Sequence, residues 1–82
     1  MIVKLYGKKD CSLCLDAKIL LEILQEEYGF EIEVIDIYQD ETLLDKFHLI
    51  IPVVEIEGGE IVDTEIIDLP KIENFLKTIQ QK

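Results

Sequence analysis

The chain has 82 residues, enough for one domain over residues 1–82, and 49% of them are hydrophobic, mostly Ile, Leu and Val. That apolar supply offsets the limited burial, roughly 60% of the chain's surface, open to so small a domain. Eighteen Asp and Glu face eight Lys and no Arg, a net charge of −10, which excludes phosphate-rich nucleic acid and anionic membrane surfaces as partners. The acidic balance reads as a solvated surface that keeps a small protein dispersed, with a basic docking partner as the alternative. No apolar run approaches the 18 residues of a membrane span, and Met1 leads into a strand without a leader pattern, so a cytoplasmic location is expected.

Ile2-Val3-Lys4-Leu5-Tyr6 is a short β-rich run broken by Gly7, and it predicts the first strand. A helix follows over about Ser12 to Tyr28, with Asp10 or Ser12 as its cap. Leu13, Ala17, Leu20, Leu21, Leu24 and Tyr28 recur at helical spacing, and Leu15, Ile19 and Ile23 form a second stripe beside them. Two apolar stripes predict a helix largely covered by a sheet and a neighbour. Gly29 ends the helix as a left-handed cap. Glu31 to Ile37 reads as the second strand, its continuous Val34-Ile35-Asp36-Ile37 fitting a sheet with helices on both faces. A short helix over Glu41 to Phe47, capped near Asp40, carries Leu43, Leu44 and Phe47. Pro52 opens a third strand over Val53 to Ile56, Gly58-Gly59 signals a two-residue hairpin, and Glu60 to Asp63 is the fourth strand. Asp68 caps a last helix with Pro70 in its first turn and Ile72, Phe75, Leu76 and Ile79 inward. The order β-α-β-α-β-β-α predicts an α/β fold with a mixed four-stranded sheet and helices on both faces.

Cys11 and Cys14 are the only cysteines, and they stand two residues apart where the first strand hands over to the first helix. A bridge across two intervening residues closes too small a loop to constrain the unfolded chain much, so a stabilising role is the weaker reading. The helix N-terminus favours a thiolate through its unpaired N–H groups and dipole. Lys8 and Lys9 add to that field while Asp10 and Asp16 oppose it, so the Cys11 thiol is expected below the ordinary value of about 8.5, without an extreme shift. CxxC beside a βαβ pattern reads as a redox motif.

With Leu5-Tyr6-Gly7-Lys8-Lys9-Asp10-Cys11-Ser12-Leu13-Cys14, the Val34-Ile35-Asp36-Ile37 strand, the Ile50-Ile51-Pro52-Val53-Val54 segment and the Gly58-Gly59 hairpin in view, the chain resembles the thioredoxin-like superfamily, and within it small glutaredoxin-like proteins. The resemblance spans nearly the whole length. It implies a thioredoxin-like (glutaredoxin-like) fold and a thiol–disulfide oxidoreductase with Cys11 as the attacking nucleophile and Cys14 as the resolving thiol. It also implies a cis Pro52 lying against the disulfide, with the Ile51 backbone left to pair with an extended substrate. Lys8 matches a lysine that commonly meets the glycine carboxylate of glutathione. Leu13 is expected to be exposed beside the sulfur, where it would contact a protein substrate; simple packing on the helix is the alternative. Lys8 and Lys9 read more simply as a solvated turn, and Tyr6 as a core or strand-end aromatic rather than a substrate-stacking one.

The departures bear on the choice of reductant. The dipeptide between the cysteines is Ser12-Leu13 where glutaredoxins typically show Pro-Tyr, and there is no Trp. Ile61 is followed by Val62-Asp63-Thr64-Glu65, without the glycines that precede the acidic residues of a glutathione site. Leu5 fills the position where thioredoxins hold a buried acid. No bound cofactor and no dedicated metal site are expected, and glutathione use is put in question. The expected partners are a disulfide-bearing protein or small-thiol substrate and a reductant of thioredoxin-reductase or glutathione type, with the protein itself a monomer. Two other readings stand beside this one: a binding module of the same fold whose thiols are regulatory or vestigial, and a metal or iron–sulfur carrier acting through Cys11. His48, the only histidine, reads as a surface residue at the end of the second helix.

Overall fold

Ile2–Gly7 (β1), with β-branched Ile2 and Val3 and aromatic Tyr6, is an inner strand of the sheet, paired on both sides. The computed structural model describes residues 1–56 and 58–80, and of Gln80 the backbone alone. After β1 come a helix over Ser12–Tyr28 (α1), a strand over Glu31–Asp36 (β2), a single 3-10 turn at Ile37–Gln39, a helix over Glu41–Phe47 (α2), strands over Val53–Ile56 (β3) and Glu60–Thr64 (β4), and a helix over Leu69–Gln80 (α3). The sheet order is β2-β1-β3-β4, with β1 and β2 parallel and the remaining pairs antiparallel. This is the mixed four-stranded α/β arrangement that the element order predicts.

Strand alternation splits the core in two. Val3, Leu5, Val54 and Ile56 form one face, packed with Ala17, Leu21, Leu24 and Phe30 and with Ile72 and Leu76 of α3. Tyr6 and Val53 form the other with Ile37 and Phe47. The Tyr6 and Phe47 rings lie 4.8 Å apart and tilted by 41°, within the range aromatic pairs prefer. Tyr6 is therefore the core aromatic expected of it, and its hydroxyl donates to Glu55 Oε2 at 2.9 Å. Burial, then that hydrogen bond and the Glu55 charge, push its hydroxyl up to about 12.

The caps explain where the elements stop. Gly29 is left-handed (φ 66°) and returns its N–H to the Gln25 carbonyl at 2.8 Å. Asp40 caps α2 by accepting the Thr42 N–H at 2.8 Å. Asp68 holds the cap position of α3, its carbonyl accepting from Ile72 N at 3.2 Å. Its own N–H goes to Asp63 Oδ2 at 2.9 Å, and Asp63 also accepts from Thr64 N and Lys71 Nζ. Buried Asp63 thus fastens the end of β4 to the start of α3.

Four expectations need correction. The second strand ends at Asp36, because the Asp36 carboxylate accepts the Tyr38 N–H at 2.9 Å and turns the chain into the 3-10 turn. The fourth strand runs one residue further, to Thr64, which pairs with Val53. Ile56 pairs with Glu60 across the hairpin, so three residues rather than two separate the paired ends, and Gly58 and Gly59 are both at positive φ. The second stripe of α1 is not covered: Leu15, Ile19 and Ile23 are 59%, 48% and 57% exposed, and Val34 is 56% exposed. The reason is positional. β2 is an edge strand, so no further strand lies beyond it to carry a layer over the outer flank of α1.

Candidate dithiol site

The chain leaves β1 at Gly7 and reaches α1 through Lys8 to Cys11. Cys11 itself is the N-cap, with extended backbone (φ −111°, ψ 111°), so the cap falls on neither Asp10 nor Ser12. Its Sγ takes the place of a cap oxygen, accepting the Cys14 N–H at 3.2 Å, while its carbonyl accepts from Leu15 N at 3.1 Å. Asp10 makes the preceding bend at φ 56°, a left-handed conformation that Asp adopts more readily than most residues. The cap geometry therefore aims an N–H of the first turn at the Cys11 sulfur.

Cys11 and Cys14 are joined as a disulfide, their Cα atoms 5.2 Å apart. They are unequally accessible: Cys11 is half-buried, whereas Cys14 is 8% exposed on the inner face of α1 with Ala17 and Leu21. Gly7 makes the inner position tight. A Cβ there would lie 2.8 Å from Cys14 Sγ, so the last residue of β1 has room for hydrogen alone. Leu5 is 2% exposed in the core, so an apolar side chain stands where the resemblance places a buried acid in thioredoxins.

A groove of about 720 Å³ opens onto both cysteines from the β2 side. Leu5, Leu15, Val34 and Ile35 give it apolar walls, and Lys8, Lys9, Lys18, Asp10 and Asp36 stand around it. On the opposite flank, Tyr6 pairs with Val53, so the loop before β3 leaves the sheet at the same end as the cysteines. The Ile51-Pro52 bond in that loop is cis. The flanking carbonyls of Ile50 and Pro52 both accept the Glu65 N–H, at 3.2 and 2.8 Å. Among the described residues the Ile51 amide and carbonyl take no backbone partner. Pro52 is buried, and Ile51 packs half-buried on the Tyr6 and Phe47 cluster. Leu13 (44% exposed), Leu49 (81%) and Ile66 (77%) add apolar surface where the chain leaves this end of the sheet.

The fold thus gathers the sequence-identified residues at one end of the sheet in two groups. Lys8 joins Cys11 and Cys14 at the groove; Leu13, Ile51 and Pro52 do not line it. Sequence reasoning missed Leu15, Lys18 and Val34 as groove residues and Gly7 as a packing residue. Lys18 was recoverable, being four residues after Cys14 and so on its helix face; nothing in the sequence marks Gly7 as touching Cys14. His48 is exposed at the end of α2, its Nδ1 2.9 Å from the Leu44 carbonyl oxygen. Among the described residues no three His, Cys, Asp or Glu side chains cluster as metal ligands, and none of the described helices is long and apolar enough to cross a membrane.

A mixed four-stranded sheet with CxxC at the start of its first helix and a proline just before its third strand defines a protein of the thioredoxin-like class. Residues 2–77 match the glutaredoxin-like domain family (DUF836), and the chain belongs to that family. Among solved structures it is similar to protein XcR50 from X. campestris (24% identity, TM-score 0.79, 93% of this chain and 96% of that one). Protein Ne2328 from Nitrosomonas europaea is similar too (27% identity, TM-score 0.79, 89% and 87% covered). Thioredoxin 1 from Thermosipho africanus shares the fold at 19% identity, with a TM-score of 0.65 over 100% of both chains. A comparison with curated proteins returns no match.

Proposed function

We propose that the protein is a thiol–disulfide oxidoreductase in which Cys11 attacks and Cys14 resolves. The observation that carries the reading is the inequality of the two sulfurs: the half-buried one is the helix cap and receives the Cys14 N–H, and the other is buried behind it. An N–H held at 3.2 Å and the positive end of the α1 dipole favour a thiolate on Cys11.

The steps balance. The Cys11 thiolate bonds to one sulfur of a substrate disulfide, and that S–S bond breaks to release the first substrate thiolate. Cys14, after losing its proton to water, bonds to Cys11 Sγ and displaces the second substrate thiolate. Two electrons pass from the dithiol to the substrate, the protein ends as the disulfide, and an external thiol or dithiol reductant restores it. With Leu5 where an acid would stand, solvent at the mouth of the groove is the acceptor for the Cys14 proton.

A protein dithiol suits the site better as reductant than glutathione does. Lys8 borders the groove as a carboxylate anchor would. But Asp63, the acidic residue after the hairpin, is buried and committed to Thr64, Asp68 and Lys71, leaving little to receive the far end of the tripeptide. Leu13, Leu49 and Ile66 supply the apolar surface that a protein substrate would cover.

The test is trapping with a disulfide peptide. Cys14→Ser is expected to stop at a mixed disulfide through Cys11, seen as a mass increase that dithiothreitol removes, while Cys11→Ser forms no adduct. Failure of the wild type to reduce any disulfide, with Cys11→Ser indistinguishable from it, overturns the reading.

A further inference from the structure

We propose that the groove between α1 and β2 docks an acidic, apolar segment flanking the disulfide of a protein substrate, an inference that rests on the oxidoreductase reading. The volume of about 720 Å³ falls in the range of formed binding pockets, roughly 300–1,000 Å³. Its walls include two large apolar side chains that the fold leaves uncovered, Leu15 at 59% and Val34 at 56% exposed. Ile19 and Ile23 continue that strip along α1, at 48% and 57%. The groove reaches both sulfurs, so a segment lying in it is continuous with the disulfide being reduced.

Charge selects the occupant. Three of the eight lysines, Lys8, Lys9 and Lys18, line the groove against two aspartates, whereas the rest of the chain carries five lysines against sixteen carboxylates. None of the three lysines pairs with a carboxylate among the described residues. Of the two aspartates, Asp36 already accepts the Tyr38 N–H. The groove is thus a small positive island on a strongly negative protein, opposite in sign to the basic partner that overall charge suggests. Carboxylates near the substrate disulfide would meet Lys18 and the Lys8-Lys9 turn, and an adjacent apolar side chain would cover Leu15 and Val34. A basic segment would be repelled at the groove and drawn elsewhere.

The experiment measures second-order rates at which reduced protein reduces three disulfide peptides alike except for their flanks: acidic–apolar, basic–apolar and neutral–polar. Hydroxyethyl disulfide, too small to need the groove, reports the chemistry alone. The acidic–apolar peptide is expected to be fastest at low salt, by about threefold for each lysine engaged, with the advantage shrinking as salt rises. Lys18→Glu is expected to lower the acidic-to-basic rate ratio about tenfold, since it replaces an attraction with a repulsion. Lys77→Glu makes the same change in net charge on α3 and is expected to leave the ratio near the wild-type value. Val34→Ser is expected to slow both apolar peptides relative to the neutral–polar one.

If hydroxyethyl disulfide is reduced but the ratio is flat, or Lys77→Glu lowers it as much as Lys18→Glu, the docking inference is wrong and the oxidoreductase reading stands. A preference for apolar flanks untouched by Lys18→Glu and Val34→Ser overturns it too and moves docking to the Pro52 side. If neither hydroxyethyl disulfide nor any of the three peptides is reduced, the oxidoreductase reading itself falls.

Discussion

Replacing Gly7 with alanine would place a methyl carbon 2.8 Å from Cys14 Sγ and 3.2 Å from Cys14 Cβ. Ordinary non-bonded separations are about 3.5–4.0 Å, so β1 and the first turn of α1 must part by several tenths of an ångström. Neither moves freely: Gly7 pairs with Asp36 in the sheet, and Cys14 is 8% exposed on a helix held by Ala17 and Leu21. Overpacking of this kind costs about 1–3 kcal/mol, partly offset by the 0.4–1 kcal/mol or so that Gly→Ala gains by restricting the unfolded chain. The net expectation is a loss of about 1–2 kcal/mol, or a Tm lower by about 4–16 °C for a domain of this size. Urea unfolding under reducing conditions measures it without a contribution from the disulfide. The decisive comparison is the Cys14→Ala background, which removes Sγ. There Gly7→Ala is expected to cost less than about 0.5 kcal/mol, a coupling of at least about 0.5–1.5 kcal/mol, against an additivity error of about 0.3–0.5 kcal/mol for distant sites. An unchanged penalty in that background, or a Gly7→Ala protein as stable as the wild type, would refute the packing argument.

Two further outcomes follow from polar groups inside the fold. Asp63→Ala leaves the Asp68 N–H without its charged acceptor and is expected to cost about 1.5–3 kcal/mol in denaturant unfolding; Lys71→Ala, which removes a 58% exposed partner of the same carboxylate, should cost less than about 1 kcal/mol. Tyr6 gives the protein an alkaline limit: its hydroxyl is raised from 10.0 to about 12, so its contribution to stability is complete below pH 10 and is lost as the pH climbs toward 12. With solvent screening of the hydroxyl allowed for, the loss is on the order of 1 kcal/mol, and Tyr6→Phe should lower stability by about 1 kcal/mol at neutral pH while removing this alkaline step. A wild-type and Tyr6→Phe pair with parallel stability profiles between pH 10 and 12 would contradict it.

Features set by neighbours along the chain are legible in the residues alone. The β-rich run of Ile2 to Tyr6, the helical spacing of Ala17, Leu21 and Leu24, the Gly29 stop and the Asp40 cap each follow from local preferences, and each stands where expected. The same locality put both cysteines at the start of α1 and Pro52 just before β3. Which surfaces meet depends instead on contacts between distant parts of the chain. Periodicity marks two apolar stripes on α1 but does not say how many layers will cover them; strand order does, and with β2 at the edge only the Ala17–Leu21–Leu24 stripe is enclosed. Gly7 is a strand breaker by composition, yet its role comes from Cys14 being folded back upon it, a contact between residues on different elements. The groove arises in the same way: Val34 and Lys18 are far apart in sequence and belong to one surface only because β2 pairs in parallel with β1 beneath α1.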